Sequence, residues 1–299
     1  MESRVSVVIP AYNHERYVGA AIESVLSQTY EQWELIVIDD GSTDGTPDVL
    51  RRYDDPRIQV FRQVNQDAYN AINAGLAKTS GEYVAILNSD DVYHPDRLAR
   101  LVAAQRESGA ACLFTDVQPM DAAGNPILDI RHPWVAWHAA NRQVYFESGN
   151  IYTAFLNGNF MIGTSNLFLT AETVRQVGAF APLRYLHDYD YIFRVMLSAP
   201  DRVRYLQDQK LMSYRIHGAN TLSKGAIVAR EQDRQVIRTY LLAGVPEASR
   251  ARVAIGADRL MKLERELAQV RAELARPILL RRLDRYRSWV GRTWARMRS

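Results

Sequence analysis

At 299 residues, with 47% hydrophobic and 24% charged residues, the chain is long enough to bury a substantial core and lacks the composition of a disordered protein. One cysteine, Cys112, excludes an internal disulfide and a thiolate zinc cluster; it falls in a predicted buried strand, 110–114, as an inert core thiol. The formal net charge of +3 is uneven: residues 276–299 hold eight Arg against one Asp, a net +7, which leaves −4 on the other 275 residues.

In chain order, strand 5–9 comes first, followed by Val18, Ala21, Ile22, Val25 and Leu26 at helical spacing. Strand 35–38, a turn rich in Gly, Ser and Asp, and a short helix ending near Arg52 come next. Strand 58–61, a helix through Ile72 and Leu76, and strand 83–87 complete a βα rhythm, with Gly81 as a turn between the last two. This alternation predicts an α/β fold with a mostly parallel, doubly wound sheet. A helix through Leu98, Leu101 and Val102 leads to strand 111–115; then loops carry Gly124, Pro126, Pro133, Trp134 and Trp137. Strand-like 164–169, helix 171–177, helix 188–197 and strand 210–216 follow, and an irregular second half of this kind suits an acceptor-binding region. After Ser223 a C-terminal helical extension is expected. Within it, Leu260, Leu263, Leu267, Val270 and Leu274 form an a/d seam in segment 253–275, which fits either pairing of two chains into a homo-oligomer or packing on the main domain. Beyond Pro277, Leu279, Leu283, Tyr286, Val290, Trp294 and Met297 share one face ringed by Arg. That pattern suits an interfacial helix on anionic lipid better than a solvated basic helix or a nucleic-acid contact, because the aromatics share the apolar face, so no nucleic-acid partner is expected. No apolar run approaches the roughly 18 residues that cross a bilayer, and residues 1–4 lead into a strand without an apolar leader. The expected location is the cytoplasm, at the inner face of the cytoplasmic membrane.

Four polar signatures follow apolar runs. They are Ile9-Pro10-Ala11-Tyr12-Asn13, Asp39-Asp40-Gly41-Ser42-Thr43-Asp44, Asn88-Ser89-Asp90-Asp91 and His187-Asp188-Tyr189-Asp190. The first three lie at C-terminal strand ends, where an open α/β sheet forms its ligand crevice. Carboxylates gathered at one edge repel unless a cation or a ligand donor sits among them. Tyr12 offers a ring to stack on a flat base; the plain alternative is a turn with Asn13 as N-cap and Glu15 in the first helical turn. Turn chemistry alone accounts for Ser42 to Gly45. Asp190 sits four residues before Arg194, which predicts an i,i+4 ion pair.

Residues 5–13, 39–46 and 88–91, in this order, resemble the family 2 glycosyltransferases of the GT-A fold, and the resemblance covers roughly residues 4–220. It implies an inverting, metal-dependent transferase that moves a sugar from a UDP- or dTDP-linked donor to a glycan or lipid-linked glycan, in bacterial surface polysaccharide synthesis. The implied domain is 1–222, with a nucleotide-sugar-binding half 1–92 and an acceptor-binding half 93–222, before the extension 223–299. Asp188 corresponds to the catalytic base. Pro10, Tyr12, Asn13, Asp40, Asn73, Asn88, Ser89 and Asp90 correspond to the donor site. Asp90, with Asp91 and His217, corresponds to the Mn²⁺ or Mg²⁺ site, and such hard ions take oxygen ligands; the plain alternatives are a helix cap for Asp91 and a surface or capping role for His217. Thr164, Ser165 and Trp134 are expected at the acceptor; the alternatives are a turn into a strand for the first two and loop packing for Trp134. The chain departs from the pattern at Asn88, where an Asp usually stands, and at His187, where an acidic residue usually precedes the base. Those departures keep open a non-catalytic glycan-binding or scaffold subunit. A nucleotidyltransferase lacks support, because no glycine-rich, Lys-bearing loop lies near the N-terminus. A processive synthase is disfavoured, because Gln235-Val236-Ile237-Arg238 is followed by Thr239 rather than Trp.

Overall fold

The structure is a computed structural model that describes residues 3–218 and most of 226–262. The a/d seam at Leu260, Leu263, Leu267, Val270 and Leu274 and the basic tail 276–299 lie outside the described residues. Two compact units are present, Met1–Val236 and Ile237–Ser299. In the second, Arg238 Nε meets Asp258 Oδ1 at 2.8 Å. Among the described residues no helix is long and apolar enough to cross a membrane.

The first unit is built on β1 (Val5–Ala11), α1 (Val18–Leu26), β2 (Trp33–Asp39), α2 (Thr46–Leu50), β3 (Ile58–Arg62), α3 (Ala68–Leu76) and β4 (Tyr83–Ile86). β1 and β2 are buried at every position, as expected of strands covered on both faces. β1 pairs in parallel with β2 and β4, and β2 pairs in parallel with β3. Val5, Val7 and Ile9 face α1 and join Val18, Ile22 and Val25 in the main core. On the other face, Ile36 and Ile38 pack with Ala71 of α3. α3 approaches so closely that a Cβ on Gly75 would lie 2.3 Å from Val8 Cγ1.

The second half departs from the parallel rhythm. β5 (Val92–Tyr93), α4 (Arg97–Ser108), β6 (Cys112–Met120), α5 (Pro133–Ser148), α6 (Ile151–Asn157), β7 (Phe168–Thr170), α7 (Ala171–Val177), α8 (His187–Ser198) and β8 (Val203–Arg215) follow; α9 (Ala226–Ala243) spans the unit boundary. Strand order in the eight-stranded sheet is β3-β2-β1-β4-β7-β6-β8-β5. β7 runs antiparallel to β4 and β6, whereas β6 and β8 are parallel. Three sequence expectations change here. The stretch around Trp134 and Trp137, expected as loop, is the 16-residue helix α5, with Pro133 at its first turn and His132 accepting from the Trp134 N–H. Residues 164–169 divide into a 3-10 turn, Thr164–Asn166, and β7. The last strand starts at Val203 rather than 210, ahead of a register shift against β6 near Asp116.

Candidate active site

The turns after β1 and β2 are tied into one block. Asn13 adopts φ +51°, a conformation that asparagine tolerates better than most residues, and this turns its side chain back over β2. Its Oδ1 accepts from the Thr43 N–H at 2.8 Å, and its own N–H donates to Ser42 Oγ at 3.0 Å. His14 N–H donates to Thr46 Oγ1 at 2.9 Å. Glu15 N–H donates to Asp44 Oδ2 at 3.0 Å, while Glu15 Oε2 accepts from Gly45 N–H at 2.7 Å. Asn13 is therefore not the cap of α1, whose N-cap Tyr17 makes no side-chain bond; Glu15 serves α2 instead. Pro10 is buried in β1, and Tyr12 is left 45% exposed just past it.

Asp39 is buried and structural, accepting from Ser42 N–H at 2.9 Å and facing Arg62 at 3.4 Å. Asp40 next to it accepts from Gln63 Nε2 at 2.7 Å and from Gln66 N–H at 3.0 Å. Burial raises its carboxyl above the ordinary range despite those donors. Gly41, at φ +75°, turns the chain under Asn65, so close that a Cβ there would meet the Asn65 nitrogen at 2.9 Å.

The loop after β4 separates its two carboxylates. Asp90 Oδ2 meets His217 Nε2 at 3.1 Å, and one donor atom each of His14, Asp90 and His217 lie within 4.8 Å of one another. Burial raises the Asp90 carboxyl, but the His217 hydrogen bond and the His14 charge outweigh it, leaving it below its ordinary value. Asp91, expected as a second metal carboxylate, faces the other way. Its Oδ2 accepts from Ser165 Oγ at 2.5 Å and its Oδ1 from the Arg215 N–H at 3.0 Å. Burial and the neighbouring Asp90 charge push it well above the carboxylate range. Arg215 Nε also donates to the Asp90 carbonyl at 2.8 Å. Ser89 Oγ is engaged by His14 Nδ1 at 2.7 Å.

Thr164 and Ser165, expected to line the acceptor pocket, are 1% and 0% exposed and buttress the acidic loop instead. Thr164 Oγ1 donates to Asn88 Oδ1 at 2.7 Å, and Ser165 Oγ accepts from Asn88 N–H at 3.0 Å. Ile162, at φ +83°, holds a backbone conformation that costs a β-branched residue about 1–3 kcal/mol, and it delivers the chain into this turn. Trp134 is not an open sugar platform either: it is half-buried, with its ring stacked on Tyr214 at 5.4 Å and beside His138 at 5.1 Å. Trp137 is the exposed member of the pair. Asn73 commits both polar atoms to the backbone of Phe180, with Nδ2 donating to its carbonyl at 3.0 Å and Oδ1 accepting from its N–H at 2.8 Å.

Asp188 opens α8 and is 8% exposed. Its Oδ2 accepts from Asn159 Nδ2 at 2.8 Å, and burial raises its carboxyl. A Cβ built on Gly163 would lie 3.9 Å from Asp188 Oδ2 and 3.8 Å from Asn88 Nδ2, so both side chains flank one point. Tyr214 links the two regions: burial raises its hydroxyl first, and the charges of Asp91, Asp90 and Asp188 raise it further. Asp188, far along the sequence, thus comes beside the loop that follows β4. Asp190 pairs with Arg194 at 2.8 Å as expected. Sequence reasoning missed His14 and Asn159, and it read the Arg215-Ile216-His217 stretch for His217 without the clamp that the Arg215 backbone makes. His14 carried a signal, since it directly follows the Tyr12-Asn13 turn.

The Glycosyl transferase family 2 description matches residues 6–169, more than half of the chain. An uncharacterised glycosyltransferase of Nostoc sp. is 31% identical over 235 residues, covering 77% of this chain and 70% of the relative. Among solved structures, Staphylococcus aureus TarS 1–349 with UDP-GlcNAc superposes with a TM-score of 0.64 at 19% identity, over 83% of this chain and 69% of that one. Glucosyl-3-phosphoglycerate synthase from Mycobacterium tuberculosis, bound to Mn²⁺, UDP and glucosyl-3-phosphoglycerate, gives a TM-score of 0.54 at 20% identity, over 83% and 82% of the two chains. With strands, turns and matched residues converging on one edge, the chain belongs to glycosyl transferase family 2 and is a glycosyltransferase of the GT-A fold.

Proposed function

We propose that this transferase is inverting and metal-dependent, takes a UDP- or dTDP-linked sugar, and delivers it to a glycan or lipid-linked glycan hydroxyl in surface polysaccharide synthesis. The observation that carries the reading is the pairing of a buried, Asn159-held Asp188 with Asn88 about one point, beside the Asp90 loop. A carboxyl whose pKa is raised by burial, as that of Asp188 is, is a better base near neutral pH than an exposed one. Asp188 takes the acceptor proton as the hydroxyl attacks the anomeric carbon opposite the departing nucleoside diphosphate. The exposed ring of Tyr12 and the carboxylate of Asp40 receive the base, with Asp40 accepting an imide N–H alongside the Gln66 amide. The close donor atoms of Asp90 and His217 fit a divalent ion, and that pair would hold it. A bound ion supplies charge neutralisation for the leaving diphosphate. The tail 276–299, with its arginines around an apolar face, holds the enzyme on anionic lipid at the cytoplasmic side of the membrane.

The test is release of nucleoside diphosphate from a panel of nucleotide sugars with Mn²⁺, comparing wild type with Asp188→Asn. Loss of a general base should lower the rate by about 10²–10⁴-fold, with UDP binding retained. Release unchanged in Asp188→Asn removes the base assignment, and no release from any donor favours a non-catalytic subunit.

A further inference from the structure

We infer that His14 is a third protein ligand to the divalent ion, and that the resulting set of two imidazoles and one carboxylate selects a first-row transition ion over Mg²⁺. The inference rests on the metal reading above and concerns the composition of the same site.

The acidic loop offers one carboxylate only. Asn88 Oδ1 is occupied by the Thr164 hydroxyl, and both Asp91 oxygens are occupied by Ser165 and Arg215. Any further protein donor to an ion on Asp90 therefore comes from outside that loop. Among the described residues, the one group of His, Cys, Asp and Glu donors close enough to share an ion is His14, Asp90 and His217. His14 and His217 come from parts of the chain far apart in sequence, the turn after β1 and the residues just past β8.

His14 is held there by contacts that do not involve an ion. Its backbone N–H is fixed on Thr46, and Asn13 at φ +51° sets the direction of the chain beneath it. Its ring is gripped at Nδ1 by Ser89 Oγ at 2.7 Å and lies edge-on to Tyr17 at 5.7 Å. The ring centroid stands 6.1 Å from that of His217. A ligating imidazole is commonly steered by a hydrogen bond at its other nitrogen, and Ser89, immediately before Asp90, is placed to do that. Imidazole suits the later first-row ions and follows the rising affinity from Mn²⁺ through Co²⁺ to Zn²⁺, whereas Mg²⁺ prefers oxygen donors and keeps its waters. One carboxylate with two imidazoles is a poor seat for Mg²⁺.

The experiment uses the full chain and the ions themselves. Mn²⁺ binding is measured by EPR and calorimetry, with and without UDP and with Mg²⁺ as competitor, on wild type, His14→Gln, His14→Ala and Asp90→Asn; circular dichroism and thermal melting establish that each variant is folded. Pulsed EPR counts imidazole nitrogens coupled to Mn²⁺. The expected result is two coupled imidazoles in wild type and one in both His14 variants. Mn²⁺ affinity should fall by at least about tenfold, the low end of what loss of even an outer hydrogen-bond partner costs. A hundredfold excess of Mg²⁺ should leave most Mn²⁺ bound to wild type. One coupled imidazole in wild type, or unchanged affinity in a folded His14 variant while Asp90→Asn weakens binding, overturns the His14 assignment and leaves the Asp90–His217 reading standing. Ready displacement by Mg²⁺ overturns the selectivity. Absence of Mn²⁺ binding to wild type in every condition overturns the metal reading itself.

Discussion

Replacing Asn73 separates a donor-binding role from a structural one. The two bonds to the Phe180 backbone join α3 to the segment before α8 across 107 residues of sequence. Phe180 is buried, and its ring lies 3.8 Å from that of Tyr191, near-parallel, so the link reaches the helix that carries Asp188. Asn73→Ala strands one buried amide and one buried carbonyl. At about 1–3 kcal/mol for each unsatisfied group, and allowing for partial relaxation, the loss is about 2–4 kcal/mol. That corresponds to a fall of roughly 4–16 °C in Tm. Asn73→Asp keeps an acceptor for the Phe180 N–H but sets an oxygen against its carbonyl, so it should be no more stable than the alanine variant. Urea unfolding gives the stability change, and UDP titration of the folded variants gives the ligand side. Unaltered stability with UDP binding weakened tenfold or more would refute the structural role and return Asn73 to the donor site.

Gly75→Ala should destabilise. The added methyl meets Val8 Cγ1 at 2.3 Å, and overpacking of about 1–3 kcal/mol exceeds the gain of about 1 kcal/mol from helix propensity. Combining it with Val8→Ala should cost less than the sum of the two single changes, read from urea midpoints; strict additivity would count against the close approach. Glu34 makes a pH-dependent contribution. Burial alone would raise its carboxyl, but donation from Ser6 Oγ at 2.6 Å and from Ser80 N–H at 2.7 Å outweighs burial and holds it below the ordinary value. The stabilisation is therefore present above the unfolded pKa of about 4.3 and is lost as pH falls through the lower folded value. Glu34→Gln should cost about 1–3 kcal/mol at pH 7 and progressively less below about pH 4; equal costs at pH 7 and pH 3.5 would exclude this account.

The first half of the fold was legible because its strands are uninterrupted apolar runs buried on both faces. The observed bounds of β1, β2, β3 and β4 extend or trim the expected ones by two residues or fewer. α5 was not legible: of its sixteen residues only His138 and Asn141 are buried, so no apolar stripe marks it, and Pro133-Trp134 reads as loop. β8 was read late because Asp208, at φ +61°, and a register shift interrupt its early part. Asp40 and Asp90 follow apolar strand runs, so topology alone puts them at the crevice edge, whereas Asp188 lies in the first turn of α8 and was singled out by the family resemblance. Which partner each polar atom takes could not be read, because those partners arrive from far along the chain. Ser165 reaches Asp91 across 74 residues, and the Thr164 hydroxyl reaches Asn88 across 76. A carboxylate that faces a histidine and one that is locked by a serine look alike in a string of letters.

Arg215 carries a consequence for how this protein is made and recombined. Its N–H and guanidinium close onto Asp91 and the Asp90 carbonyl from 124 and 125 residues downstream, well past the matched stretch 6–169. A nascent chain halted at 169 would carry the three strand-end signatures, yet its acidic loop would lack both His217 and the clamp that orients it. Synthesis must therefore run through β8 before the catalytic edge can set, and any chimera that grafts these motifs onto another protein has to bring the last strand along.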